Sequence, residues 1–300
     1  MAKYKERRQA RKNKESTMKI IGLFPYIKRA RVADVTLELI AILENAGYDV
    51  LLEAENSAEL GRKDLGFPLQ EMLDRIEVGI ALGGDGTLLQ AARLLRRKQT
   101  PVFGVNLGHM GFLTEIDDHD IGEAVRRLQA GEFYLEDRIM VEAKIQRDGK
   151  AGETLVGLND IVIAKGTSPR MLRMEIRIDG HLTAGFAADG LIVTTPTGST
   201  AYSLSAGGPV LEPRLNVLML TPICAHSIFA RPLVVGRDAK IEISFTSLPG
   251  GAMMTADGQE GIRLQEGDVI GCYTAPQPTR LVRFQERSFY DLLKERFRDI

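Results

Sequence analysis

The chain has 300 residues, of which 44 % are hydrophobic and 26 % are charged, which is ordinary globular composition. This length suits one large domain or two ordinary domains. The formal net charge is −1, so the overall charge does not favour nucleic acid or a membrane surface. We therefore expect no nucleic-acid partner and no membrane partner.

Two features concern the compartment in which the chain works. The N-terminus lacks the apolar core of a signal peptide, and no stretch is long enough without charges to span a bilayer. Cys224 and Cys272 lie in apolar or strand-like sequence and are expected to be buried free thiols, although one disulfide between them stays open. The sequence thus predicts a soluble, cytoplasmic protein.

Residues 1–17 form a basic N-terminal tail. Residues 3–14 are mostly basic and contain one aromatic residue, Tyr4. Terminal segments of this composition are usually solvated and frayed, so we expect a flexible tail. An arm that binds an anionic partner is the alternative interpretation.

Residues 18–135 alternate between strand-like and helix-like segments. Apolar residues recur at helical spacing over 30–45, and Gly47 follows as a C-terminal cap. Such alternation is typical of a parallel sheet with helices on its faces, so we predict an α/β domain here. Residues 54–75 have a mixed pattern that predicts no clear order. The predicted strands are 19–24, 48–52, 78–82 and 102–105, and the predicted helices are 30–45, one from about 87, and 121–130.

The most informative motif of this domain is Gly83-Gly84-Asp85-Gly86-Thr87, between the strand 78–82 and a helix. Glycine lets backbone N–H groups approach an anion, and a helix N-terminus favours negative charge. Gly83, Gly84, Gly86 and Thr87 are therefore predicted to hold a phosphate donor. Asp85 repels phosphate, so its presence indicates that it reaches an attacking hydroxyl or a metal ion that the phosphate carries.

A second glycine-bearing loop, residues 106–111, follows the strand 102–105. Ligand sites in open α/β sheets lie at the carboxyl ends of strands, so loops after neighbouring strands would form one phosphate crevice. The alternative is that the glycines only make tight turns. For a single glycine that alternative is the better interpretation, whereas residues 83–87 together favour function.

From residue 136 to residue 272 strands dominate, and we predict a mainly antiparallel β domain. In residues 172–178 apolar and charged side chains alternate, as in a strand with one solvated face. Asp179-Gly180 directly after it is a strong hairpin signal. Residues 273–300 include a helix-like stretch at 288–297, and we expect this C-terminal segment to pack back on the α/β domain.

Two polar motifs interrupt the β domain. Asn159-Asp160 lies inside an apolar strand, where an amide and a carboxylate either satisfy a bulge or grip ligand hydroxyls such as a ribose diol. The segment 189–205 carries six serine or threonine side chains between Thr194 and Leu204. These hydroxyls suit a ribose or an adenine edge and Tyr202 suits stacking on a ring, but a helix cap followed by a core tyrosine fits equally well.

Other common sites are excluded by the sequence. The histidines have no metal-ligand spacing with cysteines or carboxylates, so no zinc site is predicted. Neither a Gly-x-Ser-x-Gly hydrolase elbow nor a Walker-type phosphate loop is present. No metal site made directly by a protein cluster is expected.

Taken together, these motifs resemble the NAD kinase family, whose members phosphorylate NAD to NADP with ATP. The resemblance covers nearly the whole chain after residue 18. The motif 83–87 alone is shared with diacylglycerol-type lipid kinases and phosphofructokinases, whereas Asn159-Asp160 followed by Asp189-Gly190 is much more specific. Further stretches similar to the family are 104–108, 111–114, 195–202 and 257–259.

The resemblance implies a role for each matching residue. Asp85 would be the general base that orients or deprotonates the adenosine 2′-hydroxyl of NAD. Asp160 replaces a glutamate found in many members, so its arm is one methylene shorter. Arg170 would contact the pyrophosphate, and Gln259 would close the site. The implied NAD-binding residues are Asp85, Gly86, Asn159, Asp160, Arg170, Ala187, Asp189, Thr200, Ala201, Tyr202, Ser203, Leu204, Ser205 and Gln259.

The resemblance also implies ATP and NAD as substrates, Mg²⁺ as a divalent metal ion carried by ATP, and a homodimer or homotetramer whose interface the β domain supplies. Two other functions fit part of the sequence. A diacylglycerol-type lipid kinase would share the glycine turn but does not need the hydroxyls of 194–205. A non-catalytic NAD-binding sensor would keep Asn159 and Asp189 but would not need Asp85.

Overall fold

The computed structural model describes residues 19–28, 30–108, 111–227, 230–259, 261–284 and 288–298. The basic tail predicted for residues 1–17 lies outside this part of the chain. The described residues form two compact units, 19–137 with 279–298 and 138–278. The predicted fold class is confirmed, because an α/β unit with a mostly parallel sheet is followed by an antiparallel β unit. The domain limits at 18–135, 136–272 and 273–300 stay predictions.

The first unit is built around one eight-stranded sheet. Its strands are β1 (Ile20–Pro25), β2 (Asp49–Glu53), β3 (Gly66–Phe67), β4 (Val78–Gly83), β5 (Val102–Asn106), β6 (Ile116–Asp117), β7 (Tyr134–Arg138) and β20 (Thr279–Arg283). Its helices are α1 (Ala30–Asn45), α2 (Ala54–Glu59), α3 (Leu69–Arg75), α4 (Asp85–Leu95), α5 (Ile121–Gln129) and α7 (Phe289–Arg298). The strands lie in the order β3-β2-β1-β4-β5-β20-β7, and β6 pairs with β5.

The sequence pattern explains the centre of this sheet. Strand β4 pairs in parallel with β1 on one side and β5 on the other, so an unbroken apolar run is buried on both faces. Helix α1 has the predicted bounds, and Gly47 follows it with a left-handed φ of 82°. Helix α4 begins earlier than predicted, at Asp85, so this carboxylate lies in the first helical turn.

The winding of the chain changes direction between β1 and β4. Strand β1 pairs with β2 on its other side, whereas β4 leads on to β5. Ligand sites in open parallel sheets lie at the carboxyl ends of the strands at such a switch point. Strand β4 ends at Gly83, which places the motif 83–87 at this edge.

The C-terminal segment returns to the first unit, as the sequence predicted. Strand β20 pairs in parallel with β5, with Leu281 opposite Val102. Val282 and Phe284 lie in the hydrophobic core of this unit, and the predicted C-terminal helix is α7.

The second unit holds two six-stranded antiparallel sheets around a shared core. One sheet contains β8 (Val141–Arg147), β9 (Lys150–Gly157), β11 (Leu172–Ile178), β12 (His181–Ala188), β16 (Ile241–Ser247) and β19 (Val269–Thr274). The other contains β10 (Asp160–Lys165), β13 (Gly190–Thr194), β14 (Val217–Ile223), β15 (Leu233–Gly236), β17 (Ala252–Ala256) and β18 (Ile262–Leu264). A short helix, α6 (Tyr202–Ser205), follows β13.

Local signals in this unit have the structural consequences expected of them. Strand β11 buries Leu172, Met174 and Ile176 while its charged residues alternate with them. Asp179 and Gly180 have φ angles of 51° and 81° and join β11 to β12. This left-handed pair is the backbone conformation that Asp-Gly favours in a tight hairpin.

One expectation about the cysteines is wrong. Both are free, but Cys224 is exposed because β14 ends at Ile223 and the chain turns at Cys224 with a φ of 47°. Cys272 is buried, and burial raises the pKa of its thiol to about 12. None of the helices in the described ranges has the length and apolar character needed to cross a bilayer.

Candidate active site

Two loops of the first unit lie side by side at the carboxyl edge of its sheet. Gly83 is opposite Asn106 in the β4–β5 pair, and Leu107 donates its backbone N–H to the carbonyl oxygen of Gly83 at 2.9 Å. The Asn106 side chain fixes the second loop by donating to Asp117 Oδ1 at 2.8 Å. The predicted neighbourhood of the two glycine-bearing loops is thus present, although residues 109 and 110 lie outside the described chain.

The glycine turn leaves its backbone open. Gly84 and Gly86 are exposed, and a Cβ added to either would meet no atom within 4 Å. Gly83 differs, because a Cβ there would overlap the hydroxyl of Thr87. The first amides of a helix have no partner within the helix, so the start of α4 presents N–H groups to an anion.

Asp85 is held in one orientation by backbone donors. Its Oδ2 accepts the N–H of Phe112 at 2.9 Å, and its Oδ1 accepts those of Leu113 and Thr114 at 3.1 and 3.3 Å. A Cβ on Gly111 would overlap this carboxylate, so the close approach requires glycine. A carboxylate offers about four lone-pair sites. Three backbone donors therefore leave Asp85 able to accept one more hydrogen bond.

The second unit contains a pocket of about 310 Å³. Asn159 lines this pocket, and its Oδ1 atom is buried and has no hydrogen-bond partner among the described residues. Buried polar atoms are normally paired, so an unpaired amide oxygen on a residue that lines a pocket is unusual and points to a candidate site. The residues lining the pocket are Asn159, Asp160, Val162, Ala201, Tyr202, Thr255, Asp257 and Gly258.

Asp257 holds the turn that carries Asn159 and Asp160. Its carboxylate accepts the backbone N–H groups of Leu158 at 2.9 Å, Asn159 at 2.8 Å and Asp160 at 3.1 Å. The Asp160 side chain is buried close by, and burial together with the negative charge of Asp257 raises the pKa of Asp160 to about 7. The two carboxyl groups thus differ, because Asp257 accepts three backbone N–H groups whereas burial dominates at Asp160.

Most hydroxyls in the segment 194–204 bond to the protein itself. Thr194 donates to the carbonyl oxygen of Asn159 at 2.8 Å, and Thr195 to that of Leu158 at 2.6 Å. The Ser199 hydroxyl donates to the carbonyl oxygen of Pro196, and the hydroxyls of Ser203 and Thr221 form a hydrogen bond of 2.8 Å. These buried hydroxyls fix the turn before α6, so fewer of them face the pocket than the sequence pattern indicated.

Of the remaining residues predicted to bind NAD in the segment 200–205 and at Gln259, two line the pocket and the others are neighbours in sequence of residues that line it. Ala201 and Tyr202 line it, and Tyr202 is 46 % exposed, so its ring is available for stacking. Thr200 ends the helical turn before Ala201, while Leu204 and the exposed Ser205 follow in α6. Gln259 lies beside Gly258 and donates its backbone N–H to Ala256.

Three predicted residues lie away from this pocket. Ala187 and Asp189 are at the opposite end of β10, where Lys165 forms an ion pair with Asp189 at 2.7 Å. The six residues of β10 separate the two ends by about 16 Å. Arg170 lies in the exposed loop between β10 and β11. The structure therefore does not bring Ala187, Asp189 or Arg170 into the wall formed by Asn159 and Tyr202.

The described residues include no group of three or more His, Cys, Asp or Glu side chains that could hold a metal ion. Asp85 already accepts three backbone hydrogen bonds.

Comparison with protein families decides the identity of the fold. Residues 21–133 match the model of the ATP-NAD kinase N-terminal domain, and residues 158–284 match that of the ATP-NAD kinase C-terminal domain. The chain belongs to the NAD kinase family. The predicted family is confirmed, and with it the class of enzyme, a kinase that phosphorylates NAD.

Individual NAD kinases are similar over most of the chain. The NAD kinase of Moorella thermoacetica is 44 % identical over 282 residues, which is 94 % of this chain and 90 % of that protein. The NAD kinase of Desulforamulus reducens is 40 % identical over 282 residues, which is 94 % of this chain and 98 % of that protein.

Two solved structures share the fold. Yeast NADH kinase in complex with NADH superposes with a TM-score of 0.84 at 25 % identity, covering 92 % of this chain and 86 % of that one. An Archaeoglobus fulgidus NAD kinase in complex with ATP gives 0.69 at 26 % identity, covering 94 % and 98 %.

Some residues of this NAD kinase site were not singled out from the sequence. Asp257 and Gly258 form a turn with φ angles of 51° and 69°, and the sequence alone does not predict the bonds of Asp257 to residues 158–160. Gly111 is predicted from the sequence only as part of a glycine-bearing loop. Its close approach to the carboxylate of Asp85 is not predicted. The sequence signal that was available for Asp257 is an aspartate in a turn next to a buried strand.

Proposed function

We propose that this kinase transfers the γ-phosphoryl group of ATP to the 2′-hydroxyl of the adenosine ribose of NAD, giving NADP and ADP. The observation that carries the proposal is the fixed carboxylate of Asp85 at the open glycine turn. A helix N-terminus that binds an anion does not require a carboxylate. The Asp85 side chain, which three backbone donors hold there, is therefore suited to accept a hydrogen bond from a substrate hydroxyl.

In the proposed reaction Asp85 uses its remaining lone pair to orient the ribose hydroxyl. The hydroxyl oxygen forms a bond to the γ-phosphorus while the bond to the β–γ bridging oxygen breaks, and Asp85 accepts the hydroxyl proton. Phosphoryl transfer proceeds through a loose transition state, so positioning contributes more than basicity. Gly83, Gly84, Gly86 and Thr87 hold the donor phosphates, and a divalent ion such as Mg²⁺, bound to ATP, would supply neutralisation of their charge.

The pocket of the second unit is proposed to bind NAD. The unpaired amide oxygen of Asn159 accepts a ligand donor, Asp160 contacts ribose hydroxyls and Tyr202 stacks on a ring. Thr200, Ala201, Ser203, Leu204 and Ser205 shape the same wall, and Gln259 closes it. These groups bind NAD equally in the ground state and the transition state, so replacing Asp160 should raise KM rather than lower kcat.

We further propose that Arg170, Ala187 and Asp189 bind NAD within a homodimer or homotetramer. The separation of about 16 Å along β10 supports this, because two ends of one strand reach the same small ligand more readily when a second copy contributes one of them. Sedimentation at several protein concentrations tests the oligomer. The cytoplasmic location stays a prediction.

One assay separates the proposed function from its alternatives. Purified protein is incubated with NAD, ATP and Mg²⁺, and NADP is measured with an NADP-specific dehydrogenase. We expect NADP that depends on all three additions. Binding of NAD without NADP would favour a non-catalytic sensor, and phosphorylation of diacylglycerol but not of NAD would favour a lipid kinase.

A further inference from the structure

The segment 111–115 of the first unit carries every backbone donor described above for Asp85. The position of this segment therefore determines where the carboxylate of Asp85 lies. One side of the segment is tied to the sheet, because Glu115 donates its N–H to the carbonyl oxygen of Gly104 at 2.9 Å. The other side faces the C-terminal strand β20.

Arg283, the last residue of β20, forms hydrogen bonds to this segment. Its Nη1 donates to the carbonyl oxygen of Leu113 at 3.2 Å and to Glu115 Oε2 at 2.8 Å. Leu113 is thus held from both sides, because its N–H bonds to Asp85 and its carbonyl oxygen bonds to Arg283. The backbone N–H of Phe284 adds a bond to Glu115 Oε1 at 2.8 Å.

The guanidinium of Arg283 is buried and is matched by charge. Its side chain is 10 % exposed, and its Nε donates to Glu136 at 3.0 Å. Burial lowers the pKa of Arg283, but the charges and hydrogen bonds of Glu115 and Glu136 outweigh this and raise it, so the side chain stays charged. A charged, buried guanidinium that donates hydrogen bonds to several acceptors has little freedom to move.

The helix that follows reaches the same segment. The ring of Phe289 in α7 lies 6.4 Å from the ring of Phe112, and the guanidinium of Arg296 lies 5.9 Å from that ring. The C-terminal residues therefore contact the segment at Phe112, Leu113 and Glu115. These contacts come in addition to the pairing of β20 with β5 in the sheet.

We propose that Arg283 is a positioning residue for Asp85 and sets the turnover rate through the segment 111–115. The proposal rests on the proposed role of Asp85 in the reaction. Arg283 touches Leu113 and not the glycine turn, so it acts through the amides that hold the carboxylate. Displacing a reacting group by about 1 Å costs up to about 10²-fold in rate. The loss should fall on kcat and leave the KM for NAD unchanged.

The test compares Arg283→Lys with Arg280→Lys on the same strand. Arg280 forms a more exposed ion pair with Asp137 at 3.5 Å and serves as the matched control. Lysine keeps the charge but cannot hold Leu113, Glu115 and Glu136 with one planar fork. We expect kcat to fall about tenfold in Arg283→Lys and to stay within about twofold in Arg280→Lys, with the KM for NAD within about twofold in both.

A double-mutant cycle shows whether the effect passes through Asp85. In an Asp85→Asn background, measured by single turnover with excess enzyme, Arg283→Lys should change the rate less than about twofold. An equal loss in both backgrounds, or an unchanged kcat in Arg283→Lys, would overturn the proposal. Normal turnover by Asp85→Asn alone would instead reject the proposed function of Asp85. If Arg283→Lys does not fold, Glu115→Gln replaces it in the same cycle, with the same expected and contrary results.

Discussion

The carboxylate of Asp257 accepts the backbone N–H of Asn159 at 2.8 Å, across 98 positions of sequence. This bond and those to Leu158 and Asp160 fix the turn from which the Asn159 amide enters the pocket wall. Hydrogen bonds to an ionised acceptor are about twice as strong as neutral ones. Asp257 therefore determines the shape of the pocket.

Replacing Asp257 with Asn should weaken NAD binding. An amide offers one acceptor oxygen in place of two and turns two N–H donors toward the backbone donors it must accept. We expect the KM for NAD to rise about tenfold with little change in kcat. Asp268→Asn is the control, because Asp268 is more deeply buried than Asp257, forms an ion pair with Arg147 at 2.7 Å and does not line the pocket. Equal KM values in the two variants would contradict this role of Asp257.

Asp160 should make folding stability depend on pH. Its pKa in the folded protein is about 7, whereas an unfolded aspartate releases its proton near pH 4. Between these values the folded state binds the extra proton, so stability falls as pH rises through the window. The difference reaches at most about 4 kcal/mol for this group.

Asp160→Asn should remove that fall in stability. Urea unfolding at pH 5 and pH 8 measures it, with the exposed turn variant Asp148→Asn as the control. We expect the free energy of unfolding to decline between the two pH values in the unmodified chain and in Asp148→Asn, and to decline less in Asp160→Asn. The same slope in all three proteins would show that Asp160 ionises normally.

Gly111→Ala should disturb Asp85 without touching a ligand. The added methyl group would overlap the carboxylate, so either Asp85 rotates or the segment 111–115 moves. We expect kcat to fall by about 10²-fold. Gly122→Ala in α5 is the control, because a Cβ there meets no atom within 4 Å, and it should keep full activity. Near-normal turnover by Gly111→Ala would mean that the orientation of Asp85 does not matter.

The open glycines allow a direct test of phosphate binding. Gly84→Ala and Gly86→Ala introduce a methyl group into empty space, so neither should change the thermal unfolding temperature appreciably. A methyl group there would still obstruct an anion approaching the backbone N–H groups. We expect the KM for ATP to rise about tenfold in at least one variant while the KM for NAD is unchanged. Unaltered ATP kinetics in both would place the donor phosphates elsewhere.

How much the sequence could predict depends on the range of the interactions. Helix α1 and the Asp179-Gly180 turn follow from local spacing and local backbone preference, and both were predicted with their correct positions. The region 54–75 could not be ordered, because α2 and α3 have only six and seven residues and β3 only two. Elements this short give too few repeats for a periodic pattern.

The candidate site shows the same limit. The glycine turn and the pocket residues Asn159 and Tyr202 were identified from motifs, but their partners come from distant sequence. The hydroxyls of Thr194 and Thr195 donate to the carbonyl oxygens of Asn159 and Leu158, just before strand β10. A count of hydroxyl groups in the sequence cannot distinguish such internal hydrogen bonds from ligand binding. Arg283 reaches Leu113 across 170 positions. A single sequence carries no direct record of such pairs.

Asp85 is proposed to carry the chemical step, and the variant Asp85→Asn tests this role. Asparagine is nearly isosteric but cannot accept the hydroxyl proton. Initial rates of NADP formation and the Kd for NAD are measured on the same preparation. We predict that kcat falls by at least about 10²-fold while the Kd for NAD stays within about twofold. Turnover close to that of the unmodified protein, with NAD bound normally, would contradict the account.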